Sequence, residues 1–399
     1  MRILLIEDHP FQRNILHTQL KRVIAPDDLI CDAATGLEAL DAMKTFRPDL
    51  ILCDLNMPEM DGIQFLGCIA EKAYKGSVVI TSAASTEVIS TVERMCQSYR
   101  LNILGCLPKP ASIDELSEMV ELARKHMLSE QRPVAMLTAE DVKTAYLAGW
   151  IKPWYQPIVS LEDGHWVANE ALLRLEHPEH GVIPPGAFLR QMEEAGLEAA
   201  QTLNNIRITL NNRHALAGRR TAINITPMNL VSEGFVDEVI QIIDQTPDFN
   251  DHIYFEITES NQAHKPGQAL EAASRLSMHG CKLSIDDFGT GYSSLKQLES
   301  LPFESLKIDK DFVQSSHDSK ASATIIEACL LLTKRLSLKA VAEGVETESH
   351  WWSLRSEGCD MAQGYFVGRP MPVAELAAWH QQWIARNPCA RVADGLCCD

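Results

Sequence analysis

Acidic and amide side chains recur at the ends of short apolar runs in the second half of this sequence, and together they could hold divalent cations. Glu256 lies in IYFEIT, and Asp286-Asp287 ends CKLSIDD. Several buried carboxylates cannot stay ionised unless protons or cations neutralise them. Carboxylate and amide oxygens favour Mg²⁺ or Mn²⁺ over a thiolate-binding metal. The candidate ligands are Glu170, Asn224, Glu256, Asp286, Asp287 and Glu343.

The number of carboxylates in this set indicates more than one ion. Five carboxylates exceed what a single Mg²⁺ usually takes from a protein, and two ions about 3.5–4 Å apart suit in-line attack on a phosphodiester. Lys307 in SLKID and Arg174 in LLRLEHP would receive an anionic substrate. The expected chemistry is therefore phosphodiester hydrolysis.

A second, separate set of polar residues stands in the first half of the chain. Glu7, Asp8 and Asp54 follow apolar runs, and their mutual repulsion is relieved if they hold one Mg²⁺. A hydroxyl at Thr81 and an ammonium at Lys109 would complete a pocket of phosphate size. Their natural targets are the oxygens of an acyl phosphate on Asp54.

The polar residues of the first half lie in a stretch of sequence that repeats a strand–helix unit. Short apolar runs alternate with amphipathic stretches over residues 1–125, which predicts a doubly wound five-stranded parallel sheet. In such a sheet, functional groups gather at the carboxyl ends of the strands. Residues 126–140 are predicted to be a linker, because Pro133 interrupts any continuing helix.

The six candidate metal ligands lie in a segment that fits a single α/β barrel. Residues 141–386 are long enough for eight strands and their helices, and residues 387–399 are predicted to be a flexible tail. In a barrel of this kind, side chains at successive strand ends converge on one mouth. Consecutive strand residues face opposite sides, so the chain must leave the strand near Asp287, where Gly289 and Gly291 permit a bend.

The first half resembles the response-regulator receiver domain. The motifs LLIEDHPFQR, ILCDLNMPEMDG, VITS and LPKP carry the resemblance. It implies a flavodoxin-like fold with Asp54 as the phospho-acceptor, Glu7 and Asp8 as the metal pair, and Thr81 and Lys109 as the switch residues. It also implies a cis peptide bond before Pro110. Cys106 stands where the family usually carries Tyr or Phe, which leaves the route of the signal out of this domain open.

The second half resembles the EAL domain, a cyclic di-GMP phosphodiesterase with a TIM-barrel-like fold. The motifs NEALLRLEHP, INITP, FEITES, DDFGTGYSSL, LKIDKDFV, VAEGVET and CDMAQGY carry the resemblance. It implies that the same six residues are the metal ligands. It also implies three catalytic residues: Lys307, which positions the attacking water, Glu343, a general base, and Gln363, an active-site glutamine. It further implies substrate contacts from Gln156, Leu172 and Arg174, and a brace for the DDFGTGYSSL loop from Glu259.

Together these patterns predict a two-component response regulator that hydrolyses cyclic di-GMP to linear pGpG with two Mg²⁺ or Mn²⁺ ions, under control of Asp54 phosphorylation by a sensor histidine kinase. The alternatives are a catalytically silent module that binds cyclic di-GMP and a protein-interaction module. The resemblance favours a homodimer or higher homo-oligomer. The sequence leaves open whether phosphorylation raises or lowers the activity.

Composition and charge argue against several classes of partner and cellular location. The net charge is −18 and no Lys- or Arg-rich run is present, which argues against a duplex DNA binder. No run of about 18 apolar residues and no signal-peptide pattern occurs, so neither membrane insertion nor secretion is expected. The 11 cysteines show no CxxC pairing and are expected to be reduced thiols of a cytoplasmic protein.

Overall fold

A computed structural model describes the chain except residues 73, 83–87, 90, 93–94, 97–98, 100, 132–136, 259–265, 289–297, 299, 388 and 390–399. The chain divides into two compact units, Met1–Ala135 and Met136–Asp399. A helix spans Ile113–Gln131 and the next spans Ala139–Leu147, so both overlap the linker predicted at 126–140. The second of these helices starts at a capping box, in which Thr138 and Asp141 satisfy each other's backbone N–H groups.

The first unit contains the predicted five-stranded parallel sheet, with strand order β2-β1-β3-β4-β5. The strands are β1 Arg2–Ile6, β2 Leu29–Ala33, β3 Leu50–Asp54, β4 Ser77–Ser82 and β5 Asn102–Pro108. The described helices of this unit are Pro10–Val23, Gly36–Phe46, Gly62–Glu71 and Ile113–Gln131.

Both faces of this sheet are covered, which explains why its strands are continuous apolar runs rather than alternating ones. Along β1, Ile3 and Leu5 belong to one buried cluster, while Leu4 and Ile6 belong to another on the opposite face. Their burial confirms the doubly wound arrangement and leaves the carboxyl ends of the strands as the free edge for polar groups.

The second unit is built on a nine-stranded sheet with the order β6-β14-β13-β12-β11-β10-β9-β7-β8. An additional pairing between β6 and β7 closes eight of these strands into a barrel, and β8 extends β7 outside the ring. The strands are β6 Ile151–Ser160, β7 Trp166–His177, β8 Gly181–Ile183, β9 Arg220–Ile225, β10 Ile253–Thr258, β11 Leu283–Phe288, β12 Phe303–Ile308, β13 Lys339–Ala342 and β14 Met361–Ala362.

The direction of β6 separates this barrel from one with eight parallel strands. It runs antiparallel to both of its neighbours, β7 and β14. Only a short turn joins Ser160 to Trp166, and a connection of that length makes an antiparallel hairpin rather than a crossover. The TIM-barrel-like prediction is therefore confirmed for the closed ring, with an antiparallel first strand.

The barrel wall is held by a large apolar core between the strands and the outer helices. Those helices are Leu189–Glu194, Glu198–Asn211, Pro227–Val231, Phe235–Gln245, Phe249–His252, Pro266–Met278, Lys310–Ser315, Lys320–Leu336, Glu348–Ser356 and Leu376–Arg386, with 3₁₀ turns at Pro185–Ala187 and Val373–Glu375. Within the described part of the chain, no helix has the length and apolar character needed to span a membrane.

The start of the predicted tail packs on the turn between β6 and β7. The Asn387 side chain donates to the backbone oxygen of Asp163 at 3.0 Å, and Cys389 is partly buried beside Leu161. The described residues after the last helix are therefore in contact with the barrel.

Candidate active site

Polar side chains from successive strands meet at the carboxyl end of the barrel. Glu256 on β10 is the register partner of Asn224 on β9, and Asp286 on β11 is the partner of Thr258. Glu343 directly follows β13. Because parallel strands end at the same rim, the structure brings together residues that are distant in sequence, such as Glu170 and Glu343, which lie 173 positions apart.

Lys307 lies at the centre of this cluster. Its side chain is 1% exposed, and its Nζ lies 2.5 Å from Glu343 Oε1 and 2.8 Å from Glu256 Oε2. The same nitrogen lies 3.2 Å from Asp286 Oδ1 and 3.3 Å from Glu170 Oε2. One ammonium thus contacts carboxylates from four other strands or strand ends, and it holds them at a common point.

The electrostatic balance of the cluster is strongly negative. Burial raises the pKa of Glu343 to about 8, and burial together with the charge of Asp286 raises the pKa of Asp287 to about 7. Burial also raises the pKa of Glu256 well above its usual value. Although burial alone would lower it, the surrounding carboxylates raise the pKa of Lys307. A single lysine therefore does not neutralise the five carboxylates.

The donor atoms of the cluster fit hard divalent cations. Ligand oxygens of Asp286, Asp287 and Glu343 all lie within 4.8 Å of one another. Asn224 Oδ1 and Glu256 Oε1 are buried and accept no hydrogen bond from the residues that the structure describes. Buried acceptor oxygens without donors are costly, and a cation would satisfy them.

A β-bulge allows both members of the Asp286-Asp287 pair to serve the cluster. Ile285 pairs with Leu306 and Phe288 with Ile308, so β11 carries one residue more than β12 across this step. Asp287 has a φ of 54°, in the left-handed region that Asp tolerates better than most residues. The predicted bend at Asp287 is present, but β11 continues through it to Phe288. Gly289 and Gly291 lie outside the described residues.

Residues of β6 and β7, together with Gln363 directly after β14, extend the cluster towards the residues predicted to contact the substrate. Glu170, Leu172 and Arg174 are spaced two apart on β7 and therefore share one face. Gln363 Nε2 donates to Glu170 Oε2 at 2.6 Å and to Gln156 Oε1 at 3.0 Å. Gln156 and Gln363 are thus hydrogen-bonded to each other within the cluster.

Arg174 and Leu172 are each half-buried on this face. Burial lowers the pKa of Arg174, while the charges of Tyr365 and Glu170 oppose that shift. The Arg174 side chain donates to the Leu173 backbone oxygen at 2.7 Å, and no carboxylate of the described residues forms an ion pair with it. Glu259, the predicted brace of the DDFGTGYSSL loop, lies outside the described residues.

The sequence analysis missed Asp309. This residue directly follows β12 and is buried, and its carboxyl group shares a hydrogen bond with Asp287. Its position after a strand is the same signal that identified the other candidate residues, and it lies within the motif SLKID, which pointed only to Lys307. Asp309 therefore belongs to the rim of the candidate cation site.

The first unit contains a separate acidic cluster at the carboxyl edge of its sheet. Ligand oxygens of Glu7, Asp8 and Asp54 lie within 4.8 Å of one another. Lys109 Nζ lies 2.7 Å from both Glu7 Oε2 and Asp54 Oδ2. Although burial opposes it, Asp54 and Glu7 raise the pKa of Lys109. Thr81 is buried on the neighbouring strand, at the register position of Asp54.

Two further features of this unit bear on the sequence predictions. The Lys109-Pro110 peptide bond is cis. Cys106 lies on β5 and packs partly buried against the core cluster that includes Cys53 and Ile80. A cysteine therefore fills the position at which the receiver resemblance leads one to expect an aromatic ring.

Comparisons with known proteins extend over both units. The EAL domain family matches residues 139–370, and the response regulator receiver domain family matches residues 3–121. Cyclic di-GMP phosphodiesterase RocR of Pseudomonas aeruginosa is 34% identical over 380 residues, which cover 93% of this chain and 96% of that protein.

Further similarities concern the barrel. The bifunctional diguanylate cyclase/cyclic di-GMP phosphodiesterase MucR of Pseudomonas aeruginosa is 40% identical over 232 residues, which cover 56% of this chain and 33% of that protein. The solved PaMucR phosphodiesterase in complex with c-di-GMP is 37% identical, with a TM-score of 0.56 over 59% of this chain and 98% of that chain. An EAL domain protein of Listeria monocytogenes is 26% identical, with a TM-score of 0.55 over 60% of this chain and 96% of that chain.

Proposed function

Because the chain belongs to the EAL domain family and begins with a response regulator receiver domain, we propose that it is a response regulator that hydrolyses cyclic di-GMP to linear pGpG. The observation that carries the proposal is the convergence of five carboxylates and one amide at the barrel mouth, where four of the carboxylates lie within 3.3 Å of the buried Lys307 ammonium. A scaffold that only bound a protein partner would have no need to bury so many like charges together.

The cations of this site are proposed to be two Mg²⁺ or Mn²⁺ ions. Bound there, they would lower the pKa of a coordinated water and withdraw charge from the phosphodiester. Asp286, Asp287 and Glu343 would hold one ion, because their oxygens already lie within 4.8 Å of one another. Glu170, Asn224 and Glu256 would hold the other.

The protein's own side chains are proposed to orient the reactants. Lys307 would position the attacking water, since its Nζ lies among the ligand oxygens with three protons to donate. Glu343 would accept a proton from that water as a general base. Gln363 would orient the ligand Glu170 through its 2.6 Å hydrogen bond. Arg174, Gln156 and Leu172 would bind the substrate. Its phosphates suit an arginine such as Arg174, which has no carboxylate partner among the described residues.

Product analysis tests this function. The purified full chain is incubated with cyclic di-GMP and Mg²⁺ or Mn²⁺, and the nucleotides are separated by chromatography. The proposal expects linear pGpG to accumulate as the cyclic substrate disappears. Tight binding of cyclic di-GMP without any linear product would overturn the catalytic proposal in favour of a silent binding module.

The receiver is proposed to control this activity through phosphorylation of Asp54 by a sensor histidine kinase. Glu7 and Asp8 would hold one Mg²⁺ beside Asp54, while Thr81 and Lys109 would bind the phosphoryl oxygens. The support is the same geometry that places Lys109 Nζ 2.7 Å from Asp54 Oδ2. Attaching a phosphoryl group to a carboxylate oxygen of Asp54 would rearrange this contact.

An Asp54→Asn variant is expected to lose the response to a phosphodonor, because the amide cannot form the acyl phosphate. The measurement compares hydrolysis rates before and after treatment with acetyl phosphate. Wild-type chain should change rate, and the variant should not. Asp41→Asn serves as the control, because Asp41 is exposed on a helix and pairs only with Lys44 among the described residues. An equal change in wild type and Asp54→Asn would refute control through this residue.

A further inference from the structure

Arg174 lies on a part of β7 that has separated from the next strand of the barrel wall. β7 pairs with β9 from Ala168 to Ala171, and from Leu172 onwards its partners in the described part of the chain are β6 and β8. Residues 151–154 of β6, residues 172–177 of β7 and β8 therefore form an extension of the sheet beyond the closed ring, which we call the sheet extension. The backbone at Arg174 is hydrogen-bonded within this extension.

The two faces of the sheet extension have different neighbours. Leu172 and Arg174 belong to the face that β7 turns towards the active site. Leu175 belongs to the opposite face, where its register partner is Ile151. Leu175 and Ile151 are both buried. A substrate-binding side chain and a core side chain thus follow each other directly along the same strand.

A small apolar cluster covers the back of the sheet extension. It is separate from the main barrel core, and it includes Ile151 and Leu175 of the extension. It also includes Val142 and Ala145, which lie on the helix Ala139–Leu147. This is the first described helix of the second unit, and we call it the entry helix. The apolar support behind Arg174 therefore comes partly from the entry helix.

The entry helix is also connected to the sheet extension through the backbone. Trp150 N donates to Ala145 O at 2.9 Å, and Glu176 N donates to Trp150 O at 2.9 Å. Glu176 lies two residues beyond Arg174 on β7. Two successive backbone hydrogen bonds thus join the end of the entry helix to the strand that carries Arg174.

The path of β7 determines where the Arg174 guanidinium lies. Its side chain donates to the backbone oxygen of Leu173 at 2.7 Å, which is a contact within its own strand. Hydrogen bonds from a guanidinium to phosphate oxygens need a defined distance and direction. Lys307 lies on β12, which is part of the ring. A shift of the sheet extension would therefore weaken substrate binding and leave the catalytic cluster in place.

We propose that the entry helix positions Arg174 by packing behind the sheet extension, and that it thereby sets the affinity of the site for cyclic di-GMP. This inference rests on the proposed function, since it concerns the substrate of the same site. Val142 and Leu175 are positioning residues that act through Arg174. When either side chain is shortened, the strands move to fill part of the cavity, and the guanidinium moves with them.

Steady-state kinetics of the full chain separate this role from a general loss of stability. Val142→Ala and Leu175→Ala should each raise KM for cyclic di-GMP about 3- to 10-fold, the size of effect found for substitutions that act through an intermediate contact, with kcat within about 2-fold of wild type. Leu175→Met keeps the volume of the side chain and should keep KM within about 2-fold of wild type.

The matched control is Val239→Ala. Val239 is a buried valine on the helix Phe235–Gln245, and it belongs to the main barrel core. Its truncation removes the same two methyl groups as Val142→Ala and should lower the unfolding midpoint to a similar degree. KM should stay at the wild-type value. An equal rise of KM in Val239→Ala and Val142→Ala would overturn the proposal, as would an unchanged KM in Val142→Ala and Leu175→Ala.

A double-mutant cycle tests whether the effect passes through Arg174. In an Arg174→Ala background, Val142→Ala should change KM by less than about 2-fold, because the group that it positions is absent. A further rise as large as that in the wild-type background would show that the entry helix acts on substrate binding by another route, and it would overturn the role assigned to Arg174.

A binding experiment keeps the inference testable apart from catalysis. Equilibrium dialysis with cyclic di-GMP and Mg²⁺ compares Glu343→Gln with Glu343→Gln/Val142→Ala, and the second should bind about 3- to 10-fold more weakly. Absence of linear product from the wild type would defeat the proposed hydrolysis, while this comparison would still decide on the entry helix. Equal affinities of the two variants would overturn the positioning role.

Discussion

Replacing Lys307 by methionine is expected to reduce kcat by about 10²- to 10³-fold, the cost of removing one preorganised electrostatic contact from an active site. The same change should lower the free energy of unfolding by about 3–5 kcal/mol in metal-free buffer, because it leaves buried carboxylates without their counter-charge. The Nζ that is lost lies within 3.3 Å of four carboxylate groups. Steady-state kinetics and urea unfolding measure the two effects.

Added Mg²⁺ gives this prediction a second readout. If cations share the cluster with Lys307, they should stabilise Lys307→Met more than the wild type, since the variant has more uncompensated charge for them to neutralise. Lys282→Met is the matched control. Lys282 pairs with Glu304 at 2.6 Å but is 47% exposed, so its loss should cost less than about 1 kcal/mol. A Lys307→Met chain that keeps wild-type stability and kcat would contradict the central place given to this residue.

Replacing Glu343 by glutamine is expected to reduce kcat by about 10²- to 10⁴-fold, the usual contribution of a positioned general base, to which the loss of a ligand oxygen adds. The amide keeps the shape of the side chain. It also removes a charge that burial disfavours, as the pKa of about 8 for Glu343 indicates. The unfolding midpoint should therefore stay at or above the wild-type value. Kinetics and thermal unfolding on the same preparation provide the measurement.

The control for this variant lies five residues further along the chain. Glu348→Gln changes an exposed glutamate in the first turn of the helix Glu348–Ser356, whose carboxylate accepts from Trp352 at 3.3 Å. It should keep its kcat within about 2-fold of wild type, because surface substitutions away from a site have small effects. A Glu343→Gln variant with near-normal kcat would show that the proton acceptor is a different group. Loss of activity together with a large loss of stability would point to a structural role.

Local patterns were sufficient to predict that these carboxylates lie together at the barrel mouth. Glu256, Asp286 and Glu343 each end an apolar run, and the carboxyl ends of parallel strands meet whatever the details of the barrel. The bend at Asp287 followed from the alternation of side chains along a strand. That the bend takes the form of a β-bulge could not be predicted, because a bulge depends on how β11 pairs with β12. The sequence of β11 alone does not determine this pairing.

The contacts and residues that were not predicted from the sequence depend on closure of the barrel. Lys307 alternates with the buried Leu306 and Ile308, so its inward direction is readable from the sequence. That it contacts carboxylates from β7, β10 and β11 follows only once those strands surround it. Likewise, the hydrogen bond between Asp309 and Asp287 is recognised only in three dimensions. The antiparallel direction of β6 could have been predicted from the short turn that joins it to β7.

Carboxylates at the barrel mouth are proposed to hold the divalent cations needed to cut cyclic di-GMP. The most direct measurement is the initial rate of pGpG formation as Mg²⁺ or Mn²⁺ is added back to full-length chain stripped with EDTA. We expect no linear product in the stripped protein, a rate that rises to saturation with added cation, and almost no rise for Glu343→Gln. An unchanged rate in EDTA, or no linear product at any cation concentration, would contradict it.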